Sequence, residues 1–373
     1  MVAGFEVVPQ IKEFEPYSPG LSISEIKERY GLTNIIKMAS NENPLGTSPL
    51  AVRAIEKNAG FAFRYPRSGS PALCSEIASW LGVDKECIVP GNGSDEIIDL
   101  LVRVLARPGR DNVCAFSPCF SIYSLQSCLA GVEFRQAGLN PDMSFDWQGL
   151  LALTDENTKI VFVTNPDNPS GYCARAREII EFAKRLPPRA VLILDEAYAD
   201  FVRDQDRVCL AGRIQELENV VVTRTFSKLF GLAGLRLGYG VMSAELAKYL
   251  RRIRLPFSVN ILAEKAGVAA LRDEDFYAAT RDAVLTGRKH LTRELQDLGC
   301  RVWPSQANFL MFAPPASAKA VFSGLLERGI IVRPLGSYGL DDSLRVSVGN
   351  KRENRAFVSA LKEIVHENAN NNH

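Results

Sequence analysis

One lysine stands where its amine could act as a nucleophile. Lys228 lies in the segment TRTFSKLFGLAGLRLGYG, where apolar and glycine residues surround it. Such surroundings exclude water, and a desolvated amine is more often neutral and able to attack a carbonyl carbon. Ser227 and Arg236 flank it and are suited to bind a phosphate dianion. Taken alone, the same segment is also compatible with a surface lysine in a glycine-rich loop.

A glycine-rich turn, GNGSDE, follows the predicted strand ECIVP and leads into a predicted helix. This order points backbone N–H groups and the positive end of the helix dipole at an anion. We therefore expect a phosphate site at Gly93, Ser94 and Asp95. A dinucleotide-binding fingerprint would need glycine where the chain has Glu96. The other alternative is an ordinary helix cap supplied by Ser94 or Asp95.

Polar residues also follow two long apolar runs. Asp195, Glu196 and Tyr198 end the run VLILDEAYADF, and Asn168 lies in TNPDNPSG directly after KIVFVT. Ligands of open α/β sheets bind outside the carboxyl ends of the strands, so both segments are candidates for a site. The alternatives are a solvated pair of acids and a proline-rich turn with asparagine as turn former.

The elements that would position these residues alternate along the chain. The runs 159–164, 190–195 and 219–223 are typical of buried strands, and 174–186 is typical of a helix between the first two. Strands that are apolar throughout and joined through helices indicate a mainly parallel sheet covered on both faces. We therefore predict an α/β fold.

A second, smaller domain is expected nearer the C-terminus. Beyond about residue 243 helical patterns dominate, followed by short strand candidates at RVWPS, ANFLMFA, GIIVRPL and SLRVSVG. This pattern indicates an α+β domain. The predicted organisation is an N-terminal arm with part of the small domain at 1–40, a large α/β domain at 41–255, a small domain at 256–366 and a disordered tail at 367–373.

The composition excludes several classes of function. Lys and Arg total 44 against 43 Asp and Glu, which argues against a nucleic-acid or anionic-membrane partner and favours a small molecule. The N-terminal sequence lacks a secretory signal, so a cytoplasmic location is expected. Eight scattered cysteines favour free thiols. Three histidines without ligand spacing predict no metal site.

Taken in order, the motifs resemble fold-type I enzymes that depend on pyridoxal phosphate (PLP), and more closely the histidinol-phosphate aminotransferase family. The resemblance covers nearly the whole chain. It rests on PYSPG, ASNENPLG, RYP, GNGSDE, NPDNPSG, DEAY, TFSKLFGLAGLRLGY, ANFLMF, GIIVRP and LRVSVG. Each motif alone is widespread among PLP enzymes, whereas the ordered set is specific.

The resemblance implies PLP as cofactor and a role for each matching residue. Lys228 would carry PLP as a Schiff base and move the proton during catalysis. Asp195 would pair with the pyridine nitrogen, while Tyr198 and Asn168 would bind the ring hydroxyl. The phosphate would be held by Gly93, Ser94 and Asp95 together with Ser227 and Arg236.

Further positions concern the ring face, the partner subunit and the substrate. Phe120 matches a residue that stacks on the cofactor, usually tyrosine, with a core phenylalanine as the alternative. Tyr65 resembles a tyrosine that reaches the cofactor phosphate of the neighbouring subunit, which implies a homodimer. Arg345 matches the arginine that binds the substrate carboxylate. The remaining predicted substrate contacts are Tyr17, Asn43 and Arg333, of which Tyr17 and Arg333 match positions associated with the substrate phosphate.

The implied reaction is transamination between L-histidinol phosphate and 2-oxoglutarate, giving imidazole-acetol phosphate and L-glutamate. Asp167, Cys119 and Arg67 depart from the commonest family sequence, which leaves substrate identity open. The alternatives are an aromatic amino-acid aminotransferase, a threonine-phosphate decarboxylase and, outside the enzymes, a PLP-binding regulator. A regulator would need an attached DNA-binding module and a basic excess, which the sequence before residue 39 and the charge balance do not suggest.

Overall fold

A computed structural model describes residues 34–370 and, before them, residues 7, 9–12 and 31. Its α-helices are Pro9–Lys12, Pro49–Asn58, Pro71–Leu81, Gly93–Leu105, Ile122–Leu129, Trp147–Ala152, Ala176–Arg185, Ala244–Ile253, Ile261–Leu271, Glu274–Asp297, Ala318–Glu327 and Lys351–Asn370. Its strands are β1 Ile36–Lys37, β2 Ile88–Asn92, β3 Asn112–Ser117, β4 Glu133–Gly138, β5 Thr158–Thr164, β6 Val191–Asp195, β7 Val220–Thr225, β8 Leu237–Val241, β9 Arg301–Val302, β10 Phe309–Ala313, β11 Ile330–Ile331, β12 Arg333–Pro334 and β13 Leu344–Ser347.

Seven of the strands within 34–370 form one sheet in the order β2-β8-β7-β6-β5-β3-β4. The pairs from β7 through β6, β5 and β3 to β4 are parallel, whereas β8 is antiparallel to both of its neighbours. Parallel pairing places the carboxyl ends of β5, β6 and β7 side by side, with Thr164 opposite Asp195. The sequence prediction of a mainly parallel sheet is confirmed.

The central strands are apolar throughout because both faces of the sheet are covered. Successive side chains of a strand point to opposite faces. On β5, Ile160 and Phe162 therefore pack in one core with the helix Gly93–Leu105, and Val161 and Val163 pack in the other. Every residue of β5 is buried.

The C-terminal part forms a second layer beside the large sheet. Here β12, β13, β10 and β9 pair in antiparallel fashion. Near them β1 pairs in parallel with β11, so the chain just before residue 40 joins the small α+β unit. The long helix Glu274–Asp297 connects the layers, since it contacts both the β9–β10 region and the 3-10 turn Ala199–Phe201.

Three details of the fold differ from the sequence prediction. The last helix continues to Asn370, so residues 367–370 are helical where a disordered tail was predicted, and 371–373 lie outside the described residues. The helix Ile261–Leu271 was assigned to the small domain but packs on Pro49–Asn58 and Pro71–Leu81, beside the large sheet. Strand β8 was not predicted, because its sequence LGYGV is rich in glycine.

All eight cysteines lie in the described part of the chain and carry free thiols. Among the described helices, none combines the length and the apolar character needed to cross a membrane. The cytoplasmic location stays a prediction.

Candidate active site

A cavity of about 240 Å³ lies outside the carboxyl ends of β5, β6 and β7. The position agrees with the general rule for ligand sites of open α/β sheets. The structure brings nine residues predicted from the sequence together in its lining: Ser94, Asp95, Phe120, Asn168, Asp195, Tyr198, Ser227, Lys228 and Arg236.

A second cavity, of about 120 Å³, shares part of this lining. Lys228, Phe120, Asn168 and Tyr198 contribute to both cavities. The second one adds residues of the small unit, among them two predicted substrate residues, Arg333 and Arg345. The lysine therefore stands between a compartment with predicted cofactor residues and one with predicted substrate residues.

The surroundings of Lys228 favour the neutral form of its amine. Its Nζ donates a hydrogen bond to the carbonyl oxygen of Ser40 at 3.0 Å and lies 5.8 Å from the ring centre of Tyr198. Burial lowers the pKa of Lys228 to about 8, and the positive charge of Arg345 acts in the same direction. A neutral amine is the form that attacks a carbonyl carbon.

Asp195 supplies a buried carboxylate at the end of β6. Its Oδ2 accepts a hydrogen bond from the Tyr123 hydroxyl at 2.9 Å, and its Oδ1 accepts one from the Ala197 N–H at 3.1 Å. Burial raises the pKa of Asp195 to about 6 although these donors oppose the rise. A carboxylate kept from water in this way favours a cationic partner inside the cavity.

The third feature is a candidate anion site at the start of the helix Gly93–Leu105. Neither Ser94 nor Asp95 caps this helix; Glu96 instead accepts a hydrogen bond from the N–H of Asn92. A Cβ on Gly93, which has a φ of 76°, would meet Arg236 Nη2 at 2.8 Å. The missing side chain thus lets the guanidinium approach the N–H groups of the first turn, which suits a phosphate.

Arg345 presents a guanidinium to the second cavity although its side chain is 6% exposed. It donates to the side-chain oxygen of Asn168 and to the carbonyl of Ala39, lies over the ring of Phe309, and its Nε has no partner. Within the described residues no carboxylate forms an ion pair with it. Arg333 lies opposite Arg345 on the neighbouring strand β12. A buried cation without an acid requires an anionic ligand.

Residues 33–361 match the family described as "Aminotransferase class I and II". The chain belongs to this family. As an aminotransferase it is 56% identical over 360 residues to the histidinol-phosphate aminotransferase of Nitratidesulfovibrio vulgaris strain Hildenborough, covering 96% of each chain. It is 38% identical over 356 residues to that of Shouchella clausii, covering 95% of this chain and 96% of the relative.

Solved aminotransferase structures share the fold. The histidinol-phosphate aminotransferase from Sinorhizobium meliloti, determined in complex with pyridoxal-5'-phosphate, superposes with a TM-score of 0.88 at 26% identity and covers 98% of this chain and 100% of its own. The enzyme from Clostridium acetobutylicum superposes with a TM-score of 0.83 at 25% identity, over 89% and 100% of the two chains. These similarities confirm the predicted fold-type I architecture of this aminotransferase.

Asn43, a predicted substrate residue of the aminotransferase, does not line either cavity. Its side chain donates to the carbonyl of Leu229 and accepts from the N–H of Leu45 at 2.8 Å, so it fixes the chain locally. Asn41 of the same motif lines the second cavity instead. Its Nδ2 donates to the Tyr198 hydroxyl at 3.1 Å, and Ser347 Oγ donates to its Oδ1 at 3.0 Å. Of the two asparagines in the motif ASNENPLG, the structure thus brings Asn41 and not Asn43 to the cavity lining, and the substrate role of Asn43 stays a prediction.

Two other predicted residues lie elsewhere. Tyr65 is 82% exposed, stacks on Phe257 with ring centres 4.8 Å apart, and lines neither cavity. That position leaves it accessible to a second subunit, whose contact stays a prediction. Tyr17 lies outside the described residues.

Sequence reasoning missed Tyr123 and Thr164, which lie behind the carboxylate of Asp195. The hydroxyls of Tyr123 and Thr164 are 2.7 Å apart. The only available signal was the position of Thr164 at the end of a buried strand; nothing marked Tyr123. Of the three residues that depart from the family sequence, Asp167 accepts hydrogen bonds from Ser170 within its own turn. Cys119 and Arg67 line neither cavity.

Proposed function

We propose that this aminotransferase uses PLP to interconvert L-histidinol phosphate and 2-oxoglutarate with imidazole-acetol phosphate and L-glutamate in histidine biosynthesis. One observation carries the proposal: Lys228 lines two cavities, of which one holds the carboxylate of Asp195 and the other the unpaired guanidinium of Arg345. The named function of the Nitratidesulfovibrio vulgaris relative supports the substrate assignment.

The first cavity fits PLP by the chemistry of its side chains. The Asp195 carboxylate would hold the protonated pyridine nitrogen, Tyr198 and Asn168 would bind the ring hydroxyl, and the Phe120 ring would pack on the cofactor face. Phosphate would be bound by the N–H groups at Gly93 to Asp95 together with the side chains of Ser227 and Arg236. When bound, PLP accepts the electron pair that deprotonation leaves on the substrate carbon.

Lys228 has two tasks in this scheme. Its Nζ would hold the cofactor covalently between turnovers, and the free amine would take the proton from the substrate Cα and carry it to the cofactor. Because burial lowers the pKa of this amine to about 8, its neutral form, which can accept the proton, is far more populated near physiological pH than that of an ordinary lysine. Tyr198 and the Ser40 carbonyl hold the amine on the cavity side.

Arg345 and Arg333 bind the anionic part of each substrate. Glutamate offers an α-carboxylate, which matches the planar guanidinium of Arg345, and histidinol phosphate offers a phosphate, for which Arg333 adds a second charge. Exclusion of water from the Arg345 side chain strengthens the attraction. Tyr17 is proposed as a further phosphate contact.

The active form is proposed to be a homodimer in which Tyr65 contributes to the partner's phosphate site. In support, Tyr65 stacks on Phe257 and both side chains are exposed, as are those of Phe61, Phe63 and Leu255, which lie within four residues of one or the other in the sequence. Exposed aromatic and apolar side chains are typical of a protein–protein interface.

The function is tested by a single-turnover measurement on the PLP-loaded protein. We would add L-histidinol phosphate, L-phenylalanine or threonine phosphate separately and follow the absorbance of bound PLP, together with release of carbon dioxide. Rapid conversion to the aminated cofactor by histidinol phosphate, restored by 2-oxoglutarate, is expected. Conversion by phenylalanine alone would identify an aromatic aminotransferase, and carbon dioxide from threonine phosphate would identify a decarboxylase.

A further inference from the structure

Three polar side chains form a short chain of hydrogen bonds at the wall of the cofactor cavity, which Thr164 and Asp195 line. Thr164, Tyr123 and Asp195 are linked by distances of 2.7 and 2.9 Å. We propose that Tyr123 is a positioning residue that keeps Asp195 ionised, so that the carboxylate holds the proton on the cofactor's pyridine nitrogen. The inference rests on the proposed binding of PLP.

Packing fixes the Tyr123 hydroxyl at this place. The ring stacks on Phe162 of β5 with centres 4.3 Å apart and is 1% exposed. Phe162, Thr164 and Asp195 lie at one end of two paired strands, with Thr164 directly opposite Asp195. The phenol therefore meets both polar groups from the same side, and little rotational entropy remains to be lost when PLP binds.

The chemistry of the three groups sets the direction of the hydrogen bonds. An ionised carboxylate can only accept hydrogen bonds, so the Tyr123 hydroxyl donates its hydrogen bond to Asp195 Oδ2. The Tyr123 oxygen in turn accepts a hydrogen bond from the Thr164 hydroxyl. Two hydroxyls aligned in one direction polarise each other and strengthen the bond to the carboxylate. Burial raises the pKa of Tyr123 well above 10, so the phenol stays a donor.

This chain opposes the effect of burial on Asp195. Without donors, a buried carboxylate takes up a proton and can no longer stabilise a protonated pyridine. The Ala197 N–H serves the other carboxylate oxygen, so Tyr123 provides the side-chain donor to Oδ2. Loss of a hydrogen bond to a charged group corresponds to a factor of about 10 to 100 in affinity.

The test compares PLP with 1-deaza-PLP, in which a C–H group replaces the pyridine nitrogen. Apoprotein is titrated with each compound and the dissociation constants are measured by equilibrium dialysis. Tyr123→Phe is expected to weaken binding of PLP about 10- to 100-fold and to leave binding of 1-deaza-PLP unchanged. Tyr239→Phe is the matched control, because Tyr239 is also a buried tyrosine but lines neither cavity.

The outcomes separate this inference from the proposed function. Equal weakening of both compounds in Tyr123→Phe would overturn the inference, because it would indicate a merely structural role. If Tyr123→Phe does not fold, Thr164→Val removes the outer donor and is expected to give a smaller loss that again depends on the nitrogen. Asp195→Asn should weaken binding of PLP more than binding of 1-deaza-PLP, whatever the result for Tyr123→Phe. Equal weakening of both compounds in Asp195→Asn would contradict the proposed cofactor arrangement.

Discussion

Lys228 and Arg345 place two basic groups around one small space, and only the lysine, whose pKa is lowered to about 8, can lose its proton near physiological pH. Guanidinium cannot lose its proton under these conditions, whereas an amine can. Their mutual repulsion therefore lowers the pKa of the lysine, in addition to burial. The cation proposed to bind anions thus favours the neutral form of the residue proposed to act as nucleophile and base.

Replacement of the lysine should remove catalysis without unfolding the chain. Lys228→Ala loses one hydrogen bond, to the Ser40 carbonyl, and relieves the burial of an amine. We expect turnover to fall by a factor of at least about 1,000, since covalent attachment and proton transfer are both lost. Steady-state rates and circular dichroism measure the two effects, with Lys248→Ala on the exposed face of the helix Ala244–Ile253 as control. Wild-type turnover by Lys228→Ala would refute the assignment.

The capture of PLP by apoprotein should depend on pH through the same amine. The neutral form of Lys228 increases as pH rises through about 8, so the rate of covalent binding should increase over the same range. Arg345→Leu removes a neighbouring positive charge, raises the pKa of Lys228 and should move the rise to higher pH. Stopped-flow absorbance measures both profiles. Identical profiles for the two proteins would show that Arg345 does not influence the amine.

Among individual residues, the sequence predicted those whose type alone suggests chemistry, such as Lys228, Asp195 and Arg236. It did not distinguish Asn41 from Asn43, because the sequence of an irregular segment does not indicate which of two nearby side chains points toward the site. Asn41 has a φ of 56°, and this left-handed conformation directs its amide toward Tyr198. Tyr123 was missed because its contacts depend on how a helix packs against a distant strand.

Among the elements, β6 and β7 are joined behind the site by a buried ion-pair network. Arg224 on β7 donates to Glu196 at 2.7 Å and to Asp200 at 3.2 Å, and all three side chains are buried. Asp200 lies in the 3-10 turn Ala199–Phe201, directly after Tyr198. The network therefore fixes the segment that carries both Asp195 and Tyr198.

Removal of the cation from this network should be costly. Arg224→Met leaves two buried carboxylates without their cationic partner, and we expect the free energy of unfolding to fall by about 3–5 kcal/mol. Arg213→Met is a matched control, because Arg213 pairs with Glu216 on the surface and should contribute less than about 1 kcal/mol. Urea unfolding followed by fluorescence compares the variants. Equal stability of the two would contradict a buried and essential network.

The strands of the large sheet differ in how clearly their sequences identify them. Strands β5, β6 and β7 are covered on both faces and carry continuous apolar runs, so their sequences identify them. Strand β8 contains glycines because a Cβ at Gly238 would collide with the backbone of Ser94 and one at Gly240 with Ile97. Its sequence is therefore determined by close packing against the first turn of the helix Gly93–Leu105, which local periodicity cannot reveal.

For the whole molecule, a shared active site would make activity recoverable by mixing two inactive proteins. Lys228→Ala lacks the amine, and Tyr65→Ala lacks the residue proposed to enter the partner's site. In a mixed dimer, one site has both residues intact. After co-refolding of equal amounts, half of the dimers are mixed and activity should recover to about a quarter of the wild-type value. Light scattering measures the dimer, and no recovery from mixed dimers would exclude the proposed contribution of Tyr65.

The two cavities are completed by parts of the chain that leave the ribosome at different times. The sheet that carries Asp195 and Lys228 is complete once Val241 has been synthesised, whereas Arg333 and Arg345 follow about a hundred residues later. Asn41 is an example, because its N–H donates to the hydroxyl of Ser347, which is synthesised 306 residues later. During synthesis the residues that line the first cavity thus emerge before the second cavity can form, and the two arginines proposed to bind the substrate are added only near the end of the chain.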